Sequence, residues 1–366
     1  MTGNKIGPRY VVQVYNKEFD AWGFLVIDNT KRGPGKGGIR MTPTVTVEEV
    51  GRLARAMTLK NALADIAFGG AKAGIAFDPR SANKAAKKKL VEWFAKELKP
   101  FLPKYYIAGP DVNMGEEEMA WFVGAVKDKK AATGKPKRLK GLPHELGSTG
   151  FGVVEAVKLA LKFKKIDIKN STIAIEGFGN VGTFAMQFLT ELGAKVVAVS
   201  DSKGTIYDPA GLNYAELMKV KKKTGTVTQY PIAKKLNNQE IFTLPVDVLI
   251  PAALPDVIHS DNADKVKAKI IVEGANISIT SEAEQKLHAR GVLIIPGVLA
   301  NAGGVISSFA EHKGYSAEKM FKLVREKIGK SVSTALARLP DSSAGHAKTG
   351  KPLLEIAAQM AWERLS

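Results

Sequence analysis

The chain has 366 residues, 45% of them apolar, no cysteine, and a formal net charge of +18. That length exceeds what one core usually organises, so two domains are expected. The composition leaves no disulfide, thiolate nucleophile or cysteine-bound metal. There is no run of about 18 apolar residues to suggest a membrane span, and MTGNKIGPRY at the start lacks the apolar centre of a signal peptide. These features fit a cytoplasmic protein, and avoidance of cysteine also accompanies hot habitats. The lysines cluster in short runs such as Lys87-Lys88-Lys89 and Lys221-Lys222-Lys223, without interleaved aromatics. They read as solvated helix faces and argue against nucleic acid, while favouring anionic substrates and dinucleotides.

Residues 10–27 read as two strands joined by a turn near Asn16–Asp20. A glycine- and proline-rich loop, KRGPGKGGIR, follows. Thr46-Val47-Glu48-Glu49 matches a capping box and starts a helix of about 18 residues. On it Leu53, Met57, Lys60 and Ala64 share one stripe, which places Lys60 on the apolar face. FGGAKAGIAFDP reads as a loop entering a strand, 81–98 as a basic amphipathic helix, and YYIAGPDVN as a short strand whose end carries Asp111. Helix Glu116–Val126 comes next, and 127–147 is a polar connection between domains.

The pattern then alternates. Gly150–Phe163 and Val181–Leu192 read as helices. Thr172–Glu176, Val196–Ser200, Val246–Ile250, Ile270–Glu273 and Leu293–Ile295 read as strands. Such alternation means a parallel sheet covered on both faces. From Ser316 the chain returns to long helices, with a loop in Ser342–Gly350.

Gly177-Phe178-Gly179-Asn180-Val181-Gly182 lies between the strand STIAIE and the helix VGTFAMQFL, with Asp201 19 residues beyond Gly182. In that context the glycines make the tight turn that admits a pyrophosphate to the helix N-terminus. Asp201 would meet the adenosine ribose, which favours NAD. Ser200 and Lys203 nearby leave NADP open, and Ser202 completes the cofactor candidates here. Three lysines stand among glycines or apolar residues: Lys36 in KGGIRM, Lys60 in MTLKNALADI and Lys72 in FGGAKAGI. Burying an ammonium is costly unless it is paired, so converging amines suggest a pocket for a small molecule with more than one carboxylate. Glycines before Lys72 would let a substrate approach. Asp111 is its natural proton partner, or else a cap for the following helix. The histidines (His144, His259, His288, His312, His346) show no metal spacing.

KGGIRM, MTLKNALA, FGGAKAGI, AGPDVN, GFGNVG, EGAN and NAGGV occur in the order seen in the glutamate/leucine/phenylalanine/valine dehydrogenase family, which the chain resembles over nearly its whole length. The resemblance implies an α/β fold: a substrate-binding and oligomerisation domain over 1–146 and a Rossmann-type, doubly wound domain over 147–339. Helices from about 340–366 would return to the first, and the active site would lie in the cleft between the two. It implies NAD(P)-dependent oxidative deamination of an L-amino acid, with NAD or NADP as cofactor, in a homo-oligomer (hexamer or octamer). Lys72 resembles the catalytic lysine that activates water, Asp111 the proton-transfer acid, and Lys60 the lysine that grips the α-carboxylate. Thr149, Asn276 and Asn301 resemble residues at the nicotinamide and its ribose.

Lys36, flanked by Gly37 and Gly38, and Ser308 resemble the pair that meets the side-chain carboxylate of glutamate. Glu311 continues that pattern, with Ala310 in place of an aromatic residue. The length and the opening AWGFLVIDNTKRGPGKGG resemble the leucine enzymes, so a dehydrogenase of branched-chain or other apolar amino acids is the alternative. A catalytically silent dinucleotide-binding protein with a basic, nucleic-acid-associating surface is the alternative of another class.

Overall fold

The computed structural model describes residues 7–143, 146–339 and 351–366. The expectations for residues 1–6, His144, His346 and the Ser342–Gly350 loop lie outside the described residues. The chain divides into two compact units. One comprises Met1–Leu146, Val305–Leu323 and Ala361–Ser366, and the other Gly147–Gly304 and Val324–Met360. The expectation that the chain returns to the first unit from about residue 340 differs from this division. Amphipathic helices carry no label for the sheet they cover, so their allocation had to come from packing.

In the first unit β1 (Tyr10–Asn16) and β2 (Ala21–Asn29) form an antiparallel hairpin. Its turn is closed by Asn16, whose side-chain oxygen accepts from the N–H groups of Glu18 and Phe19. β3 (Gly35–Lys36), β4 (Ile39–Thr42), β5 (Gly69–Ala76) and β6 (Tyr106–Ile107) complete the sheet. The order is β1-β2-β5-β3-β6, with β4 also on β5. β5 is therefore the middle strand. Val26 of β2 lies opposite its Lys72 in antiparallel register, and Lys36 and Ile39 lie beside Gly70 and Ala73 in parallel register.

KGGIR, expected within a loop, contributes to β3 and β4, and the strand expected after a loop in FGGAKAGI begins already at Gly69. Glycine there marks close backbone approach rather than a turn. A Cβ at Gly69 would lie 1.9 Å from the Asn29 carbonyl oxygen, one at Gly37 1.7 Å from that of Ala71, and one at Gly70 2.1 Å from Thr58 Oγ1. The glycines before Lys72 bring α1 (Val47–Leu63) onto the sheet. Thr46 caps α1 by accepting from Glu49 N–H, but the Glu49 carboxylate does not close the capping box. It pairs with Arg40 instead. The buried face of α1 is Val50, Ala54, Thr58 and Asn61. Leu53, Met57 and Lys60 are half-buried at its margin, one position off the expected stripe, because the glycines of β5 accept only small side chains. On the other face, α2 (Lys84–Glu97) and α3 (Glu116–Val126) cover the sheet, with Phe94 and Phe122 packed against Leu25, Met41 and Ile75.

The second unit opens with α4 (Ser148–Phe163), β7 (Thr172–Glu176), α5 (Asn180–Glu191) and β8 (Lys195–Asp201). β9 (Gly204–Tyr207), α6 (Tyr214–Thr224), β10 (Lys234–Leu236) and β11 (Val248–Pro251) follow. Then come β12 (Ile270–Val272), α7 (Ser281–Ala289), β13 (Leu293–Ile295) and α8 (Gly297–Ala300). The strand order is β10-β9-β8-β7-β11-β12-β13, parallel except for the antiparallel β9 and β10. Order reverses at β7 and β11, which makes the carboxyl ends of those strands the crevice where such sheets bind ligands. The edge strands β9 and β10 were not anticipated. Lys234 and Lys235 are exposed and give β10 no apolar alternation to read. The chain ends with α9 (Gly303–His312), α10 (Ala317–Leu336) and α11 (Leu353–Glu363). No described helix is long and apolar enough to cross a membrane.

Replacing Gly70 by Ala should destabilise the fold by about 1–3 kcal/mol through overpacking. Gly51 lies within α1 with nothing near its would-be Cβ, so its replacement by Ala should be neutral or stabilising by up to about 1 kcal/mol. Urea denaturation of the two variants checks the contrast, and equal effects would refute the close-approach reading.

Candidate active site

The first unit gathers the three lysines around its middle strand. Lys72 is 7% exposed, and its ammonium lies 2.9 Å from Asp111 Oδ2. Arg40 Nε reaches the same oxygen at 3.1 Å, and the Arg40 guanidinium also pairs with Glu49. Burial works to raise the Asp111 pKa, but Lys72 and Arg40 outweigh it and hold the carboxyl below the ordinary range. Asp111 is not a helix cap. Its backbone pairs with Met114, and α3 starts at Gly115, where the Glu118 carboxylate accepts from Gly115 N–H at 2.8 Å.

Lys36 is 4% exposed and donates to the Ala108 carbonyl at 3.0 Å. Burial pushes it down to about 7. Glu311 resists that shift, and Lys72 and Lys135 add to it. Lys60 falls to about 8, again through burial and then the Lys72 charge. The five cations Lys36, Lys60, Lys72, Lys135 and Arg40 outnumber the three carboxylates Asp111, Glu49 and Glu311, so the arrangement suits an anion, and one with two carboxylates answers the repulsion best.

Gly37 and Gly38 shape this site from below. A Cβ at Gly38 would lie 2.4 Å from the Pro110 carbonyl oxygen and 2.9 Å from Asp111 Cβ, so Gly38 lets the Asp111 loop close on β4. Ser308 is half-buried on α9, three residues before Glu311, and makes no hydrogen bond to Lys36 among the described residues.

Three members were missed from the sequence. Tyr106 is fully buried and donates to the Gly37 carbonyl at 3.1 Å. Burial raises its pKa, with Asp111 adding to the effect. Its signal was only an aromatic before AGPD. Arg40 was visible inside KGGIRM, but nothing local tied it to Asp111, 71 residues away. Lys135 sits in the segment read as a polar connection, yet its side chain is buried against Glu311 at 2.6 Å.

In the second unit the glycine turn has the shape a dinucleotide needs. Gly177 has φ +92°, open to glycine alone without strain. Gly179 has nothing near its would-be Cβ, and a Cβ at Gly182 would meet the Gly177 carbonyl oxygen at 1.9 Å. Side chains cap α1, α2, α6 and α7. In contrast α5 begins at Gly179, and α4 at Gly147, with no side-chain cap. The first N–H groups of α5 are therefore available to a pyrophosphate. Asn180 and Val181 form its first turn, and Val181 faces Gly274. Thr149 lies in the first turn of α4, its hydroxyl 3.1 Å from where a Cβ on Gly304 would be.

Asn301 is buried, and its amide donates to the Ala275 carbonyl at 3.1 Å and to Asn276 Oδ1 at 2.9 Å. Its own Oδ1 is buried without a partner among the described residues. That orphaned atom fits a group that binds through hydroxyl or amide donors.

Asp201 and Ser200 both have partners within the protein. The Asp201 carboxylate accepts from Lys203 N–H at 2.9 Å, Thr226 Oγ1 at 3.1 Å, Val227 N–H at 2.8 Å and Lys221 Nζ at 3.3 Å. Those four donors fill the acceptor positions of an ionised carboxylate. Burial works to raise its pKa, and the donors hold it below the usual range. A ribose hydroxyl would have to displace one of them. Ser200 is 3% exposed and accepts from Gly177 N–H at 3.0 Å, so it braces the turn from within the fold. Ser202 and Lys203 remain exposed.

The model of the family described as Glutamate/Leucine/Phenylalanine/Valine dehydrogenase matches residues 141–366. That of the Glu/Leu/Phe/Val dehydrogenase dimerisation domain matches residues 12–128. A glutamate dehydrogenase of Thermotoga maritima is 44% identical over 79% of this chain and 71% of its own length. An NADP-specific glutamate dehydrogenase of Saccharolobus shibatae is 41% identical over 77% and 69%. An NAD-specific one of Staphylococcus aureus is 38% identical over 85% and 78%. Among solved structures, the hetero-hexameric glutamate dehydrogenase of Thermus thermophilus, leucine-bound, superposes with a TM-score of 0.84 at 30% identity, covering 98% of this chain and 88% of that one.

The lowered pKa of Lys36 has a stability consequence. Its value falls from 10.5 to about 7 on folding, so between those values the unfolded chain binds the proton more tightly. Native stability therefore rises with pH through that window, and the penalty is full below it. Lys36→Met should raise the thermal midpoint more at pH 6 than at pH 10. An equal gain at both pH values would contradict the assigned burial.

Proposed function

Because the chain belongs to the glutamate/leucine/phenylalanine/valine dehydrogenase family, we propose that its buried Lys72–Asp111 pair is the catalytic centre of a glutamate dehydrogenase. The reaction is the reversible NAD(P)-dependent oxidative deamination of L-glutamate to 2-oxoglutarate and ammonia. The observation that carries this reading is the 2.9 Å contact between Lys72 and Asp111 beside two further lysines of lowered pKa.

Lys60 takes the α-carboxylate. Lys36, with Ser308, takes the side-chain carboxylate, and the two salt links fix Cα between them. A nicotinamide held near Asn301, Asn276 and Thr149 would supply the hydride acceptor, and loss of the Cα hydride leaves the substrate as an imine. Lys72, after passing its own proton to Asp111, removes a proton from the water that attacks the imine carbon. Asp111, kept ionised by Lys72 and Arg40, takes up and returns protons as the carbinolamine forms and ammonia leaves. A buried Lys36 ammonium facing an alkyl side chain would be left without a counter-ion, which disfavours an apolar amino acid. A silent binding protein would have no use for the Lys72–Asp111 pair.

Asn301, Asn276 and Thr149 serve the nicotinamide end of the cofactor, and the glycine turn with α5 serves the pyrophosphate. Because Asp201 is satisfied internally, the reading takes it as the anchor of the adenosine-side loop, and both NAD and NADP are accommodated. The proposal includes a cytoplasmic location, since a chain without cysteine has nothing to gain from an oxidising compartment. It also includes a homo-oligomer, hexameric or octameric, assembled through the first unit.

Lys72→Ala should lower kcat for glutamate by about 10²–10⁴-fold while NADPH binding, followed by fluorescence, survives. Near-normal turnover in that variant removes the assignment. Lys36→Leu should raise the glutamate KM by about 10–100-fold, the loss of one charge-assisted bond, with the cofactor KM little changed. Equal effects on both constants would remove the selector role.

A further inference from the structure

We infer that the buried Lys135–Glu311 ion pair is a positioning device for Lys36. It fixes the carbonyl that holds the Lys36 ammonium and supplies the negative charge that keeps that ammonium protonated for the incoming side-chain carboxylate. The inference rests on the reading of Lys36 given above.

The pair is expensive. Its two side chains are 6% and 2% exposed, and charges so buried are stabilised by each other only when every remaining donor and acceptor is met. They are met here. Glu311 Oε1 accepts from Lys135 Nζ at 2.6 Å and from Lys135 N–H at 3.4 Å. Oε2 accepts from Gly134 N–H at 3.0 Å and Leu142 N–H at 2.9 Å. One carboxylate on α9 thereby pins both ends of the segment from Gly134 to Leu142. No step of the reaction uses it.

From Lys135 a chain of direct contacts leads to Lys36. Lys135 Nζ makes a second bond, 2.6 Å, to the Ala132 carbonyl. Ala132 and Ala108 form a parallel bridge, with Ala108 N–H donating to Ala131 at 2.9 Å and Thr133 N–H donating to Ala108 at 3.0 Å. The Ala108 carbonyl is the acceptor of Lys36 Nζ at 3.0 Å. The ammonium lies close against the backbone there, since a Cβ on Gly109 would lie 2.3 Å from Lys36 Nζ. Moving the shelf built by residues 131–135 moves the ammonium.

The charges point the same way. Lys36 is faced by Lys72 on β5, by Lys135, and by Glu311 and His312 on α9. Of these, Glu311 is the acid that favours the charged form, while Lys72 and Lys135 oppose it. His312 is pushed toward its neutral form by burial, then by Lys313, Lys130, Lys135 and Lys36. Without Glu311, Lys36 would lose its proton at a lower pH and with it the grip on a carboxylate.

The test is the pH profile, from 6 to 9, of the glutamate KM, cofactor KM and kcat for Glu311→Gln, Lys135→Met and Lys36→Leu. In the wild type the glutamate KM should climb as pH rises through the Lys36 titration. In Glu311→Gln that climb should start at lower pH, with KM at least about tenfold higher at pH 8 and kcat within about threefold. Lys135→Met should raise the glutamate KM as well, and Lys36→Leu should flatten the profile. If Glu311→Gln does not fold, the apolar double variant Lys135→Met/Glu311→Leu removes both buried charges together and carries the same prediction. If Lys36→Leu changes nothing, the role of Lys36 itself fails. If Lys36→Leu raises and flattens the glutamate KM, while the variants of the pair leave KM and its profile unmoved, the pair is structural only and this inference is overturned.

Discussion

An ammonium inside a protein must be paired, hydrogen-bonded or neutralised, and among its described residues the first unit buries three of them, Lys36, Lys72 and Lys135. Each meets the constraint differently. Lys72 has a carboxylate, Asp111, at 2.9 Å. Lys135 has Glu311 at 2.6 Å and a backbone carbonyl besides. Lys36 has only the Ala108 carbonyl among the described residues, and burial, with Lys72 and Lys135 adding to it, lowers its pKa to about 7. The lysine left without a carboxylate of its own is the one assigned to meet the carboxylate of a substrate. Binding energy is then available because the free site is incompletely compensated.

That arrangement dictates the glycines around it. Lysines of adjacent strands can converge only if the backbones beneath them come close. Gly37, Gly69 and Gly70 each occupy a position where any Cβ would collide with a neighbouring backbone or with Thr58. Helix α1 then presents Ala54 and Thr58 to β5, and its bulkier Leu53 and Met57 are displaced to the margin beside Lys60. A residue pattern that looks like loop in one dimension is the contact layer of a sheet in three.

This explains what was legible in the sequence and what was not. The second unit was readable because its signals are local. A parallel strand is an unbroken apolar run, and Thr172–Glu176 and Leu293–Ile295 have the bounds their hydrophobicity indicated. The glycine turn between strand and helix was equally plain. In the first unit the decisive relations are non-local. Asp111 meets Arg40 across 71 residues and Glu311 meets Lys135 across 176. No periodicity records such pairings. Asp201 shows the same limit in the second unit. Its place at the end of β8 was readable, but not its capture by Thr226 and Val227 from beyond α6.

Asp111 draws these strands together. A carboxylate with one cation beside it can pass a proton only by giving up that pairing. Asp111 has two, sharing Oδ2 between Lys72 and Arg40. If Lys72 becomes neutral in the course of the reaction, Arg40 still holds the carboxylate in place. The Arg40 guanidinium is in turn held by Glu49 at the start of α1, where the side chain that would have completed a capping box was diverted. Thr46 alone caps that helix. A small loss of local helix stability, on the order of a fraction of a kcal/mol, thus fixes the orientation of the carboxylate proposed to carry protons. The departure from local rules falls at the site of chemistry, where such departures are expected.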